Sequence, residues 1–371
     1  VLSDIYWRKI QHLEIVVNRD VDFKDRCEEY FRDIILIHQA IPGFRREDVD
    51  TSTRFLGYEL KAPVMITGIT GGARETLDVN RRLAQIASEH GIALGLGSQR
   101  PILTSNFNRE VVETYRVARD TAPNIPLIGN IGFNTLKTLG VQEVKQLVDS
   151  VRADALAVHL NPAQEAIQPE GDTDFSLETL SVLREVAREV GVPILVKEVG
   201  NGLSYEVVRK ITAETGVKIF DVAGACGTSW VKVEMHRTAD DVRKHVAQVI
   251  GEWGIPTPVS IIETRLASPD STIIASGGVW DGLRAVKSLA IGADMAGFAK
   301  PVLTRLLKEG FESASRFVAE YVESMKTVMF LVGAEKLGDL RRIPVVVGPV
   351  LRSYVSSRGF SLDKYLEMLR K

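Results

Sequence analysis

Eight short apolar runs in this chain each end in residues able to bind or move charge. The ends read TGITGG (67–72), GSQR (97–100), GN (129–130), HLNPAQE (159–165), KE (197–198), GACGTSW (224–230), SGG (276–278) and GFAK (297–300). Burying such groups without partners costs a few kcal/mol each, so they must meet a ligand or one another. His159 and Asn161 lie two apart on one run and share a face, with Leu160 on the other. A lone histidine would read as a satisfied core residue. Clustered with Asn161, Gln164 and Glu165, it reads as part of a site. Lys197 interrupts an apolar run and is either salt-bridged to a nearby carboxylate or a cation beside an electron-rich heterocycle or phosphate.

Three further features concern anions and metals. Glu165 suits Mg²⁺, which takes one or two carboxylates while bridging phosphates; the alternative is a solvated loop carboxylate. The glycines of SGG and GFAK allow backbone amides to cradle a phosphate at a helix N-terminus, unless they make only tight turns. Arg8, Lys9 and His12 share one face of a helix, ordinarily a solvated one, whereas Arg100 stands better for an anion. The two cysteines, Cys27 and Cys226, are too few for a disulfide framework or a zinc site and suit a reducing cytosol. Cys226 reads as a small packed residue rather than a nucleophile.

The elements that must position these residues are legible as alternation. Strands are expected at 62–69, 92–98, 125–131, 155–161, 193–199, 219–225, 272–278 and 295–301, nearly continuous apolar runs of the kind covered on both faces. Between them lie amphipathic helices. In 176–190, Leu177, Leu180, Leu183, Ala187 and Val190 recur at helical spacing, and Gly191 then Pro193 stop the helix. Segment 138–151 repeats the pattern. Eight βα units in order, with no GxGxxG turn after the first strand, predict a (β/α)₈ TIM barrel rather than an open doubly wound sheet. The fold class is α/β, with residues 1–61 as an N-terminal segment, 62–301 as the barrel and 302–371 as a last helix plus helical extension. One domain spanning 1–371 is expected. The long connection 226–271 is a candidate lid.

Composition excludes several function classes. The 371 residues carry a net charge of −2, which gives no global attraction for nucleic acid or an anionic membrane. The N-terminal stretch lacks the apolar core of a signal peptide, and no run is long enough to span a membrane, so a soluble cytoplasmic protein is expected.

These strand ends, in this order, resemble the type II isopentenyl-diphosphate isomerases, from RKIQH at 8–12 to about residue 301. The specific pieces are TGITGG, GSQR, HLNPAQEAIQPEGD (159–172), KEVGNG (197–202) and SGG. The resemblance implies a flavin barrel interconverting isopentenyl and dimethylallyl diphosphates, with FMN reduced by NADPH, with Mg²⁺, and with no net oxidation. It implies that Thr67, Gly68, Thr70, Ser98, Asn130, Lys197 and Thr228 contact the flavin or its ribityl chain, and that Gly278 and Ala299 offer amides near its phosphate. Arg8, Lys9, Arg100, His159, Asn161 and Gln164 would line the substrate site, Glu165 would hold Mg²⁺, and Trp230 would lie by the flavin and prenyl chain. Gln164, His159 and Lys197 would act in the reaction itself, the amide by orienting. A homotetramer or homo-octamer is implied. Two departures stand out: Ala225-Cys226 where the family has glycines, and Lys300 where an apolar or small residue is usual. The same-fold alternative is an FMN-dependent 2-hydroxy-acid oxidoreductase, which needs a histidine base and an arginine after the sixth and seventh strands. A non-catalytic flavin-binding barrel is the alternative of another class.

Overall fold

The computed structural model describes residues 2–24 and 27–371, with side chains from Trp7 onward. Eight parallel strands close on themselves: β1 (Val64–Ile66), β2 (Ala93–Gly95), β3 (Leu127–Gly132), β4 (Ala155–His159), β5 (Ile194–Lys197), β6 (Ile219–Asp221), β7 (Thr272–Ala275) and β8 (Met295–Phe298). β8 pairs with β1, and β6 with β7, which seals the barrel. Seven lie within the runs expected for them, shortened because the polar ends leave the ladder to form loops, and β3 runs one residue past its expected 125–131 to Gly132. The barrel interior packs Met65, Ile128, Leu195, Ile274 and Met295 into a cluster capped below by Phe55 and Leu60. Those two belong to an antiparallel hairpin, Thr53–Phe55 with Tyr58–Leu60, that plugs the N-terminal end.

Helices occupy the outer layer as the apolar stripes require. The expected 138–151 and 176–190 helices run Val141–Val151 and Thr179–Glu189, each burying its stripe at Val144, Leu147, Val148 and Val151, and at Leu180, Leu183 and Val186. Leu177, included in the expected stripe, precedes the second helix and is exposed. The long connection after β6 is helical: Trp230–Arg237 and Asp241–Ile250 lie over the β4 loop, and Thr257–Ala267 is the outer helix of that βα unit.

Two similar clamps close the N-terminal side of the barrel. Arg119, ahead of β3, pairs with Asp154 and donates to the carbonyls of Ala122, Pro123, Ile125 and Arg152. Arg265, ahead of β7, pairs with Asp294 at 2.6 Å and donates to Pro269, Ser271 and Gly292. Each carboxylate in turn accepts from the first amide region of the neighbouring strand, Leu127 or Ile273. These buried guanidiniums therefore satisfy carbonyls that no ladder reaches.

The N-terminal segment reaches the opposite, C-terminal face. Helix Leu2–Asn18 crosses the barrel mouth and touches the lid helix Trp230–Arg237 and the helix after β8, Lys300–Glu309. Further on, Ile34–Leu36 pairs antiparallel with Val345–Val347, so the two ends of the chain hold each other. The expectation for the cysteines fails. Cys27 and Cys226 form a disulfide across a sequence separation of 199 residues, so Cys226 is not merely a packed small residue. Two cysteines sufficed because tertiary contact brings them together, and their number no longer argues for a reducing compartment.

Candidate active site

The strand ends surround a cavity of about 480 Å³ at the C-terminal face. That volume is in the range of small-molecule sites. The cofactor-, substrate- and metal-binding residues expected from the sequence line it, from Arg8 and Lys9 on the roof to Thr67, Gly68 and Thr70 after β1, and Lys197 at the end of β5. Arg100, Asn161, Gln164, Glu165, Thr228, Trp230, Gly278 and Ala299 complete the rim.

The floor is built for close approach. A Cβ on Gly68 would lie 2.3 Å from the Leu96 carbonyl, and one on Gly97 would lie 2.5 Å from the Thr70 amide. Only glycine lets the β1 and β2 loops touch there. Gly277 and Gly278 have φ of +90° and +77°, the left-handed region that side chains resist. The hydroxyl of Thr70 is buried and has no protein partner among the described residues, as expected of a donor meant for a ligand. These features fit a flavin.

Beside the floor stand His159 and Lys197, whose backbones are register partners on β4 and β5. Asn130 donates its amide to the Leu96 carbonyl at 2.9 Å, which leaves its oxygen to accept from His159 Nδ1 at 2.8 Å. That bond assigns the proton to Nδ1 and leaves Nε2 as an acceptor. Burial, then the cations of Lys197, Lys9 and Arg100, pull the His159 pKa down to about 3. The ring is therefore neutral at physiological pH. Lys197 donates to the Glu198 carbonyl at 2.6 Å, and no carboxylate lies within ion-pairing distance of it among the described residues. The salt-bridge reading of Lys197 is thus not realised, and its ammonium faces the cavity. Opposite it in register stands Asp221, fully buried, held by Ser276 and raised above the usual carboxylate range by burial.

On the roof, helix Leu2–Asn18 brings three groups inward. Arg8 and Lys9 are nearly buried, and burial followed by Arg8 and Arg100 lowers Lys9 to about 7. His12 Nε2 lies 2.8 Å from Glu234 Oε1, and its ring meets Trp230 edge-on at 5.1 Å. The solvated-face reading of 8, 9 and 12 is therefore overturned: the helix covers the mouth, so its basic face turns in.

Glu234 is the site residue that sequence reasoning missed. Its carboxylate is wholly buried and accepts from His12, from Gln164 Nε2 at 2.9 Å and from Arg237 at 2.5 Å. Burial raises its pKa, but the bonds from His12, Arg237 and Gln164 outweigh this and leave it lowered. Its partners His12 and Gln164 lie 222 and 70 residues away, so nothing local in WVKVEMHR marks it. Gln164 Oε1 accepts from Asn161 at 3.1 Å, and Asn161 also donates to Glu165 at 3.0 Å. Glu165 accepts further from the Asp172 amide at 2.8 Å. No group of three or more His, Cys, Asp or Glu forms a ready metal cage among the described residues. A Mg²⁺ here would depend on Glu165 together with phosphate oxygens.

The two departures have a structural account. Lys300 reaches both carboxylate oxygens of Asp22 at 2.7 Å. Cys226 is buried, with its sulfur taken up in the disulfide to Cys27. Thr228 stays on the cavity wall, with its hydroxyl 3.3 Å from Asp22.

Similarity to known proteins agrees with this geometry. Residues 17–346 match the family model described as FMN-dependent dehydrogenase. An isopentenyl-diphosphate delta-isomerase of Sulfurisphaera tokodaii is 42% identical over 98% of this chain and 97% of its own length. That of Pyrococcus abyssi is 40% identical over 97% of this chain and 96% of its own. Among solved structures, a mandelate oxidase carrying a monooxide FMN adduct superposes with a TM-score of 0.63 at 14% identity, over 94% of this chain and 99% of that one. A putative lactate oxidase of Pediococcus acidilactici gives 0.64 at 14% identity, over 94% of both chains. At that identity the oxidases share the fold alone.

Proposed function

The chain belongs to the isopentenyl-diphosphate delta-isomerase family, of the FMN-dependent type, and from that premise we propose that it interconverts isopentenyl and dimethylallyl diphosphates. One observation carries the reading: the cationic grip of Arg8, Lys9 and Arg100 faces the same cavity as Gln164 and His12, which are held from behind by the Glu234 carboxylate. A diphosphate on a short apolar chain asks for that pairing of anion grip and dry polar wall.

Thr67, Gly68, Thr70, Ser98, Asn130 and Thr228 would hold the flavin and ribityl chain, with Gly278 and Ala299 at the phosphate. Reduced FMN, when bound, supplies the acid and base that add one proton and remove another. Lys197 would balance negative charge on the ring system with its unpaired ammonium. His159, neutral and fixed by Asn130, would accept a hydrogen bond at Nε2 rather than compete with the cations for the diphosphate. Gln164 would orient the five-carbon chain, held by Asn161 on one side and Glu234 on the other. His12 and Trp230 would exclude water from that chain. Positioning of this kind is a large contribution for a substrate with so few handles. Glu165 would hold Mg²⁺ on the diphosphate. The reading extends to NADPH as reductant, to a homotetramer or homo-octamer, and to the cytoplasm; no helix of the described residues is long and apolar enough to cross a membrane.

A hydroxy-acid oxidoreductase would need a histidine base near β6 and β7. The histidines on the cavity are His12 and His159, the first on the roof and the second bonded to Asn130 on β3. That arrangement gives the oxidase chemistry no base. The test is anaerobic incubation with FMN, NADPH, Mg²⁺ and labelled isopentenyl diphosphate. Dimethylallyl diphosphate forming only with reduced flavin is the expected result; no conversion with bound, reducible FMN would overturn the reading.

A further inference from the structure

Residues 21–24 and Cys27 are fastened to the loop after β6 at several independent points. The Phe23 amide donates to the Gly227 carbonyl, and the Ser229 amide to the Val21 carbonyl, each at 2.8 Å, so the two segments run antiparallel. Asp22 pairs with Lys300, accepts from Thr228, and gives its backbone carbonyl to Lys232 at 2.7 Å. Beyond these, Cys27 is bonded to Cys226.

The loop so fastened is one wall of the flavin-phosphate cradle. A Cβ on Gly227 would lie 2.6 Å from the Gly278 amide, and one on Gly278 would lie 1.9 Å from the Cys226 carbonyl. Residues 226–227 and 277–278 are thus in direct contact, and Lys300 opens the helix whose N-cap is Ala299.

We propose that residues 21–24 together with Cys27 act as a strap that retains the flavin, and that the Asp22–Lys300 pair and the Cys27–Cys226 disulfide are its positioning elements. FMN release then requires the β6 loop to move from Gly277 and Gly278, and the strap opposes that motion. Opening the disulfide by a dithiol breaks the S–S bond, transfers two electrons and two protons to yield two thiols, and converts the dithiol to its cyclic disulfide. The strap afterwards rests on the ion pair and backbone bonds alone. The inference depends on the FMN-binding part of the functional reading and not on the isomerisation.

The experiment uses the FMN-loaded protein. Thiols are titrated in denaturant without reductant. FMN release is then followed by flavin fluorescence in three samples: untreated protein, protein reduced with dithiothreitol and alkylated, and Asp22→Asn. No titratable thiol is expected before reduction. Release is expected to quicken roughly tenfold after reduction, the size of one lost charge-assisted contact or constraint, and to quicken in Asp22→Asn with the disulfide intact. Cys27→Ser should match the reduced protein and ignore dithiothreitol; should it not fold, the reduced protein and Asp22→Asn still decide. Two free thiols in untreated protein, or release unchanged within twofold in both treatments, would overturn the strap. Absence of isomerisation with strap-dependent release intact would overturn the isomerase reading alone.

Discussion

Lys9 and Glu234 show how far burial decides the chemistry of single side chains here. Lys9 titrates near 7 because burial, Arg8 and Arg100 all disfavour its charge. It is a cation below that pH and neutral above it, so the grip on a diphosphate weakens as pH rises. We expect kcat/KM for isopentenyl diphosphate to fall as pH passes through about 7, and Lys9→Arg, which stays charged, to flatten that fall in a pH–rate profile. Glu234 anchors Gln164 and His12 at one carboxylate oxygen. Glu234→Gln keeps the shape but puts an amide where an acceptor-only group took several donors. It should lower kcat at least tenfold, the low end of what misplaced catalytic groups lose, with a smaller change in KM. Equal kcat in the variant would remove Glu234 from the functional reading.

At the scale of elements, the cradle loops and the barrel clamps make separable predictions. Gly278→Ala would place a Cβ against the Cys226 carbonyl at a left-handed backbone position, so the loop must shift. A non-glycine residue in such a region costs about 1–3 kcal/mol, and the expected readout is an FMN Kd raised by about tenfold or more in a fluorescence titration. Unchanged flavin affinity would mean that the phosphate does not lie there. Arg265 does not line the cavity; it ties Asp294 to three carbonyls around β7. Arg265→Ala removes the donors to those carbonyls, while Asp294, partly exposed, keeps Arg341 at 2.9 Å, so the barrel should be destabilised by about 1–3 kcal/mol in denaturant unfolding. Arg119 should behave alike, since its clamp has the same parts.

For the whole molecule, the disulfide ties the N-terminal segment to the sixth βα unit across most of the chain. A cross-link of that span constrains the unfolded ensemble strongly, typically by about 2–4 kcal/mol. The Cys27→Ser/Cys226→Ser variant should therefore melt at a lower temperature than the parent without reductant, and at the same temperature as the parent with it. A parent whose melting ignores reductant would contradict the bond. The antiparallel pairing of Ile34–Leu36 with Val345–Val347 supplies a second closure, which holds the segments before and after the barrel together.

The eight strands and their order were legible because a parallel strand buried on both faces must be apolar along its length, and a covering helix must carry a stripe. Those are local requirements, written within ten or fifteen residues. The floor of the site was legible for the same reason: residues such as His159, Asn161 and Lys197 stand where a buried strand meets its loop. Only the folded chain decided the rest. Helix Leu2–Asn18 reads as solvated by its charges until the barrel mouth is placed under it. Glu234 has no signal of its own, because its meaning lies in His12 and Gln164. Cys27 and Cys226 count as two isolated cysteines until closure of the barrel sets them together. Contacts across some 200 residues depend on how the last strand meets the first, and no local pattern records that.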